Sequence, residues 1–172
     1  MKQFYLALLL LLGTLLPSAW GQSRPDSPTE AVAMRAPVEA CIRSWNEHNY
    51  GNLDAYTTAD VDWVTNVGMW WRGREAVRRA LQAYHQGMFR QTALRSEDLS
   101  VRLTTPLTAV AHQVVFIGPY FPPDGVDQEY NRQGNNQAMI TYGLLKQQSK
   151  WLISSVQVTD INPAAAAFNP IK

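Results

Sequence analysis

Asp62-Trp63-Val64-Thr65-Asn66-Val67-Gly68-Met69-Trp70-Trp71-Arg72-Gly73-Arg74-Glu75 sets three tryptophans, two arginines and a glycine turn within fourteen residues. Val61, Trp63, Thr65 and Val67 alternate with Asp62, Val64 and Asn66, the period of a strand, and the pattern ends at Gly68. Met69 to Trp71 then suits a brief return strand. Gly73 releases the chain into a helix, with Glu75 near its positive end and Val77, Leu81, Tyr84 and Met88 on its inner face. Tryptophan and tyrosine bring large rigid contact area, so such a run either anchors a core or lines a cavity.

Upstream, Met34, Val38, Cys41, Ile42 and Trp45 recur at three- and four-residue intervals, which predicts an amphipathic helix from about Thr29 to His48. Pro37 predicts that this helix is kinked or starts there. Asn49-Tyr50-Gly51-Asn52 reads as a turn and Leu53 to Thr57 as a short second helix. Downstream, Leu99-Val101-Leu103, Leu107 to Ile117, Gln137 to Lys146 and Trp151 to Val158 read as strands. Hairpin-sized breaks separate them, except for the long polar segment Gly118 to Asn135, which suits a lid, a partner surface or an extended hairpin. Helices first and antiparallel strands last predict an α+β domain, a curved sheet wrapped around the helices into a cone. The open end of a cone is a natural ligand cavity.

Lys2, the apolar run Phe4 to Leu16 and the small residues Ala19 and Gly21 predict a signal peptide cleaved after Gly21 and hence export. The apolar run is shorter than the ~20 residues of a membrane span, so no membrane association is expected after cleavage. The expected organisation is a signal peptide over 1–21, a flexible leader over 22–29, one domain over 30–163 and a tail over 164–172. Net charge is +1 with acids and bases interspersed, a poor footprint for nucleic acid. Cys41 is the only cysteine, so an internal disulfide is excluded, and its helical spacing suits a small buried residue.

The order of elements, together with Asp60-Val61-Asp62-Trp63-Val64 and the string Asn66-x-Gly68-x-x-Trp71-x-Gly73-Arg74-Glu75 followed by His85, resembles the nuclear-transport-factor-2-like superfamily. Within it the string is similar to the SgcJ/EcaC-type group, close to the SnoaL-like polyketide cyclases, and Thr159-Asp160-Ile161-x-Pro163 resembles how that group closes its last strand. The resemblance spans about Val32 to Pro163. It implies a cone fold and pairing of copies through the exposed sheet face. Leu107 to Ile117, apolar on both faces, fits that need for two covers. The superfamily holds isomerases, dehydratases, cyclases, epoxide hydrolases and domains that only bind, so it leaves the reaction open. The oxidoreductase label common in the group has no counterpart here, because the chain has no dinucleotide fingerprint, flavin motif or cysteine pair, and no cofactor is expected.

Superfamily isomerases and dehydratases use a pocket carboxylate as base, which makes Asp62 a catalytic candidate if it faces the cavity. Otherwise Asp60 and Asp62 simply solvate the strand end. His85 is the second candidate, on the inner edge of the helix beside Tyr84. His112 shares the face of Val110, Val114 and Phe116, which its apolarity predicts to be buried, and suits either a ligand contact or a hydrogen-bonded core residue. The expected ligand-contacting set is Trp63, Asn66, Trp70, Trp71, Tyr84, His112 and Thr141, with alternation allowing only one of Trp70 and Trp71 to face inward. Arg72 and Arg74 flank a helix start, where they either attract an anion or form solvated ion pairs. His48, His85 and His112 lie far apart in sequence without ligand spacing, so no metal is expected. Two functions follow: a binding module for a small hydrophobic or aromatic ligand, or a cofactor-free enzyme of the isomerase, dehydratase or cyclase type.

Overall fold

The computed structural model describes residues 28–171. The predicted signal peptide and most of the leader lie outside the described residues. Helix α1, Pro28–Asn46, runs unbroken through Pro37 and buries Met34, Pro37, Val38, Cys41 and Ser44. It therefore begins inside the segment read as leader. Pro28 suits a first helical turn, where its missing N–H has no partner to lose. The predicted second helix is a single 3₁₀ turn, Leu53–Ala55. Strand β1, Thr57–Val64, starts four residues earlier than the tryptophan alternation suggested and is followed by β2, Trp70–Arg72. Helix α2, Arg74–Gln86, follows Gly73 and buries Val77, Leu81 and His85 at four-residue intervals. Tyr84 is half-buried and Met88 lies beyond the helix end.

Four long strands complete the sheet: β3 Leu94–Thr105, β4 Thr108–Ile117, β5 Asn136–Gln147 and β6 Lys150–Asp160. The six strands lie in the order β2-β1-β6-β5-β4-β3, antiparallel throughout except for β1 beside β6. Register shifts interrupt the ladders of β1 with β6, β3 with β4, and β5 with β6. Each such irregularity adds local twist and bend, which curls the sheet around α1 and α2. At one of them a Cβ on Gly143 would meet the Ser155 hydroxyl, which would have to rotate away. The β5–β6 hairpin turns through Gln148 (φ 47°) and Ser149 (φ 69°), both left-handed as a tight two-residue turn requires.

The concave face of the sheet, with α1 and α2, encloses one core containing Val61, Trp63, Ala111, Val115, Ile140, Tyr142 and Val156. In β4 the core face carries Ala109, Ala111, Gln113 and Val115, whereas Val110, His112, Val114 and Phe116 point outward. The face read as buried from the sequence is thus the convex one. Gln113 is tolerated inside because its amide donates to Ser96 Oγ at 3.0 Å and accepts from the Tyr142 hydroxyl at 2.9 Å.

Candidate functional site

One cavity of about 300 Å³ opens at the wide end of the cone. This lies at the lower end of the range of ~300–1,000 Å³ usual for small-molecule sites. Its deep end is made by Cys41, Trp63, Leu81, Val115, Ile140 and Tyr142, all nearly inaccessible to solvent. An aromatic wall of Trp45, Phe89, Tyr84, Trp71 and Tyr120 runs toward the mouth. These rings form a chain of contacts, with centroids 5.4 Å apart for Trp45–Phe89, 5.2 Å for Tyr84–Phe89, 5.3 Å for Trp71–Tyr84 and 4.6 Å for Phe89–Tyr120. Edge-on and tilted pairs of this kind hold one another rigid. The mouth is completed by Thr65, Asn66, Val67 and Met69 from the β1–β2 turn, and by Pro122 and Gln133 from the long loop. Among the described residues, no aspartate, glutamate, lysine, arginine or histidine lines the cavity.

The register of β1 and β2 sorts the tryptophans. Trp63 faces Trp71 and Val64 faces Trp70, and paired residues share a face. Trp63 and Trp71 therefore line the cavity, while Trp70 stands outside and is more than half exposed. Asp62, paired with Arg72, falls on the same outer face. The Trp70 indole donates to Asp62 Oδ1 at 3.0 Å, and Arg72 lies over the Trp70 ring at 4.4 Å and 4.0 Å from the same oxygen. Asp62 thus does not face the cavity, because period-two alternation turns it away whenever Trp63 faces in. Arg74 is likewise occupied, donating to Thr57 Oγ1 at 3.2 Å and to the Thr57 carbonyl.

His85 is buried but is not among the cavity walls. Its ring packs 4.4 Å from Trp45, 4.2 Å from His48 and 5.6 Å from Tyr50, and neither ring nitrogen has a hydrogen-bond partner. Burial, then the neighbouring His48, holds it down at about 4, with the nearby Phe89 backbone acting in the opposite sense. The imidazole is therefore neutral at pH 7. His112 and Thr141 pair across β4 and β5 on the convex face, with Nδ1 and Oγ1 3.1 Å apart. They too are remote from the cavity. Burial pushes the Cys41 thiol up to about 12, so it stays protonated and unreactive as a nucleophile. The expected set thus divides: Trp63, Asn66, Trp71 and Tyr84 share the cavity, and Asp62, Trp70, His85, His112 and Thr141 do not.

The loop from Gly118 to Asn135 is a wall of the cavity. Tyr120 and Gln133 exchange two backbone hydrogen bonds of 2.9 Å across it. Arg90, just past α2, donates to the Gly125 carbonyl at 3.1 Å, and Asn131 donates to the carbonyls of Pro122 and Val126 at 2.8 and 3.0 Å. Gly125 sits at φ 80° against the Gly87 carbonyl, where a Cβ would collide. The length of the segment suggested a lid, a partner surface or a hairpin, but the contacts that fix it against the cavity carry no local signal in the sequence.

Residues 38–130 match the model of the SnoaL-like domain. That is more than half of the chain, and the chain belongs to this family. No curated protein matches it significantly. Among solved structures, an uncharacterized protein with a cystatin-like fold from Caulobacter vibrioides superposes with a TM-score of 0.74 at 24% identity, covering 83% of this chain and 96% of that one. A nuclear-transport-factor-2-like protein of unknown function from Pseudomonas putida gives 0.59 at 14% identity, over 77% and 87% of the two chains. A ketosteroid isomerase-like protein from Erwinia carotovora atroseptica gives 0.62 at 13% identity, over 80% and 100%. At these identities the likeness establishes the cone fold.

Proposed function

We propose that this chain is an exported protein that binds a small hydrophobic or aromatic molecule in the cone cavity. The observation that carries the reading is the lining itself: rigid aromatic and aliphatic side chains, with no charged group among the described residues. Displacement of water from such walls supplies affinity in proportion to the apolar area covered. The test is titration with the lipophilic fluorescent reporter N-phenyl-naphthylamine. Saturable binding at one site per chain is expected, and it should be lost in Val158→Trp, which fills the cavity near its mouth. Equal binding by the two proteins would contradict the reading.

Acid–base catalysis is the alternative, and the likeness to a ketosteroid isomerase-like protein is what favours it. Its two candidate bases have less support in the geometry, since Asp62 is bonded to Trp70 on the outer face and His85 is packed beneath Trp45.

Two further parts of the reading have their own tests. Export rests on the apolar run Phe4 to Leu16 and the Ala19-Trp20-Gly21 segment. N-terminal sequencing of the protein recovered from its source should therefore begin at Gln22. Homodimerisation rests on the convex sheet face, where Val110, Val114, Phe116, Met139 and Leu145 remain half-exposed. Light scattering at micromolar concentration should give twice the chain mass, and a monomer would refute the dimer.

A further inference from the structure

Most of the cavity's polar side chains gather at one edge of the mouth. Asn66 donates its amide to Asp160 Oδ2 at 2.9 Å, and Asp160 lies close enough to Tyr120 to act on it electrostatically. Tyr120 is bridged in turn to Gln133. These side chains therefore converge, whereas the deep end is apolar except for the Cys41 thiol, the Trp63 indole N–H and Tyr142, whose hydroxyl is already committed to Gln113. The hydrogen-bonding capacity at the mouth is largely unspent. Neither the Tyr120 hydroxyl nor the Gln133 amide bonds to any described residue, and Asn66 keeps its carbonyl oxygen free. The Thr65 oxygen accepts from the Met69 N–H at 3.1 Å, which leaves its hydroxyl hydrogen to donate. No cation lines the cavity among the described residues, and the Asp160 carboxylate stands at the rim against Asn66.

We infer that the ligand is an uncharged, mostly apolar molecule carrying one polar group, a hydroxyl or carbonyl, which sits at the mouth against Asn66, Tyr120 and Gln133 while its apolar body fills the aromatic interior. The inference rests on the binding reading above and narrows its ligand class. A neutral hydroxyl or carbonyl finds both donors and acceptors at this edge. An anionic group finds no compensating charge inside and meets Asp160 at the rim, so it loses hydration without replacement. A ligand with no polar group leaves the unpaired groups at the mouth unanswered.

Competition against N-phenyl-naphthylamine by three molecules of matched shape tests this: naphthalene, β-naphthol and β-naphthoate at neutral pH. β-Naphthol should compete several-fold better than naphthalene. β-Naphthoate should be at least about tenfold weaker than β-naphthol. In the chain carrying Asn66→Ala and Gln133→Ala together, the advantage of β-naphthol over naphthalene should shrink, because only Tyr120 and Thr65 remain to answer the hydroxyl. Both substitutions are at exposed positions, and the wild-type series stands without them if the variant fails to fold. Naphthoate competing as well as naphthol, or an advantage undiminished in the double variant, overturns the inference while leaving the binding reading intact. Failure of all three to displace a bound reporter, or no reporter binding at all, overturns the binding reading and this inference with it.

Discussion

Trp63→Ala is expected to lose about 3–5 kcal/mol of stability in urea unfolding, the usual cost of truncating a buried aromatic side chain. Trp63 is only 6% exposed, belongs to the core and forms the deep wall of the cavity, so its removal merges a packing defect with an existing space. The surroundings cannot collapse into that gap, because β1 is pinned between β2 and β6. Trp70→Ala, seven residues away, should cost less than about 1 kcal/mol, since it removes only an exposed hydrogen bond to Asp62 and a surface contact with Arg72. The contrast tests the register directly. Equal losses at the two positions would mean that the assignment of faces in β1 and β2 is wrong.

The second large effect is expected in acid. His85 titrates near 4 in the folded chain against 6.5 when unfolded, so between these values the unfolded chain binds more protons. Stability is then complete above pH 6.5, declines as pH falls through that window and levels off below 4. The loss should be about 2 kcal/mol, less than the full shift would give because part of the ring environment relaxes toward solvent. Glu30, held low by Lys146 and Trp151, and Glu97, held low by Arg95 and Gln137, lose their stabilisation from about 4.5 downward, a loss common to the wild type and His85→Phe. Urea unfolding of the wild type and His85→Phe at both ends of the window separates the contributions. The phenylalanine variant keeps the ring packing against Trp45 and His48 without a proton to gain, so its stability should change less by about the same 2 kcal/mol. Identical pH profiles for the two proteins would remove His85 from the account.

Much of this fold was legible in the sequence because its elements carry strong local signals. Met34, Val38 and Cys41 mark a helix face, Gly73 before Arg74 marks a helix start, and Val61, Trp63 and Thr65 mark a strand. The order of elements and the string from Asn66 to Glu75 carried the family resemblance, and the match over residues 38–130 bears out its SnoaL-like level.

The site was less legible, for two physical reasons. Alternation gives the two faces of a strand but not which one is inside. In β4 the larger apolar residues, Val110, Val114 and Phe116, face outward, and the core takes Ala109, Ala111 and a fully bonded Gln113. In β1 the same ambiguity resolves through Trp63, whose inward position sends Asp62 outward. The second reason is range. Phe89 follows α2, Tyr120 and Gln133 sit in the long loop, and Ile140 and Tyr142 belong to β5, so the wall they share exists only once the sheet has curled. No local pattern announces it. The length of the segment from Gly118 to Asn135 suggested a lid among other readings, but not which face it covers, and the left-handed backbones of Gly125 and Gly134 that hold it in shape appear only in the fold.

The central claim is that the cone cavity is the binding site, and the indole N–H signals of the tryptophans offer its most direct test. In a titration with β-naphthol followed by proton–nitrogen NMR, the signals of Trp63 and Trp71, and of Trp45 beside Phe89, should shift and saturate together. The Trp70 signal, on the outer face against Asp62, should stay in place. Saturating shifts confined to Trp70, with Trp63 and Trp71 unmoved, would contradict the account.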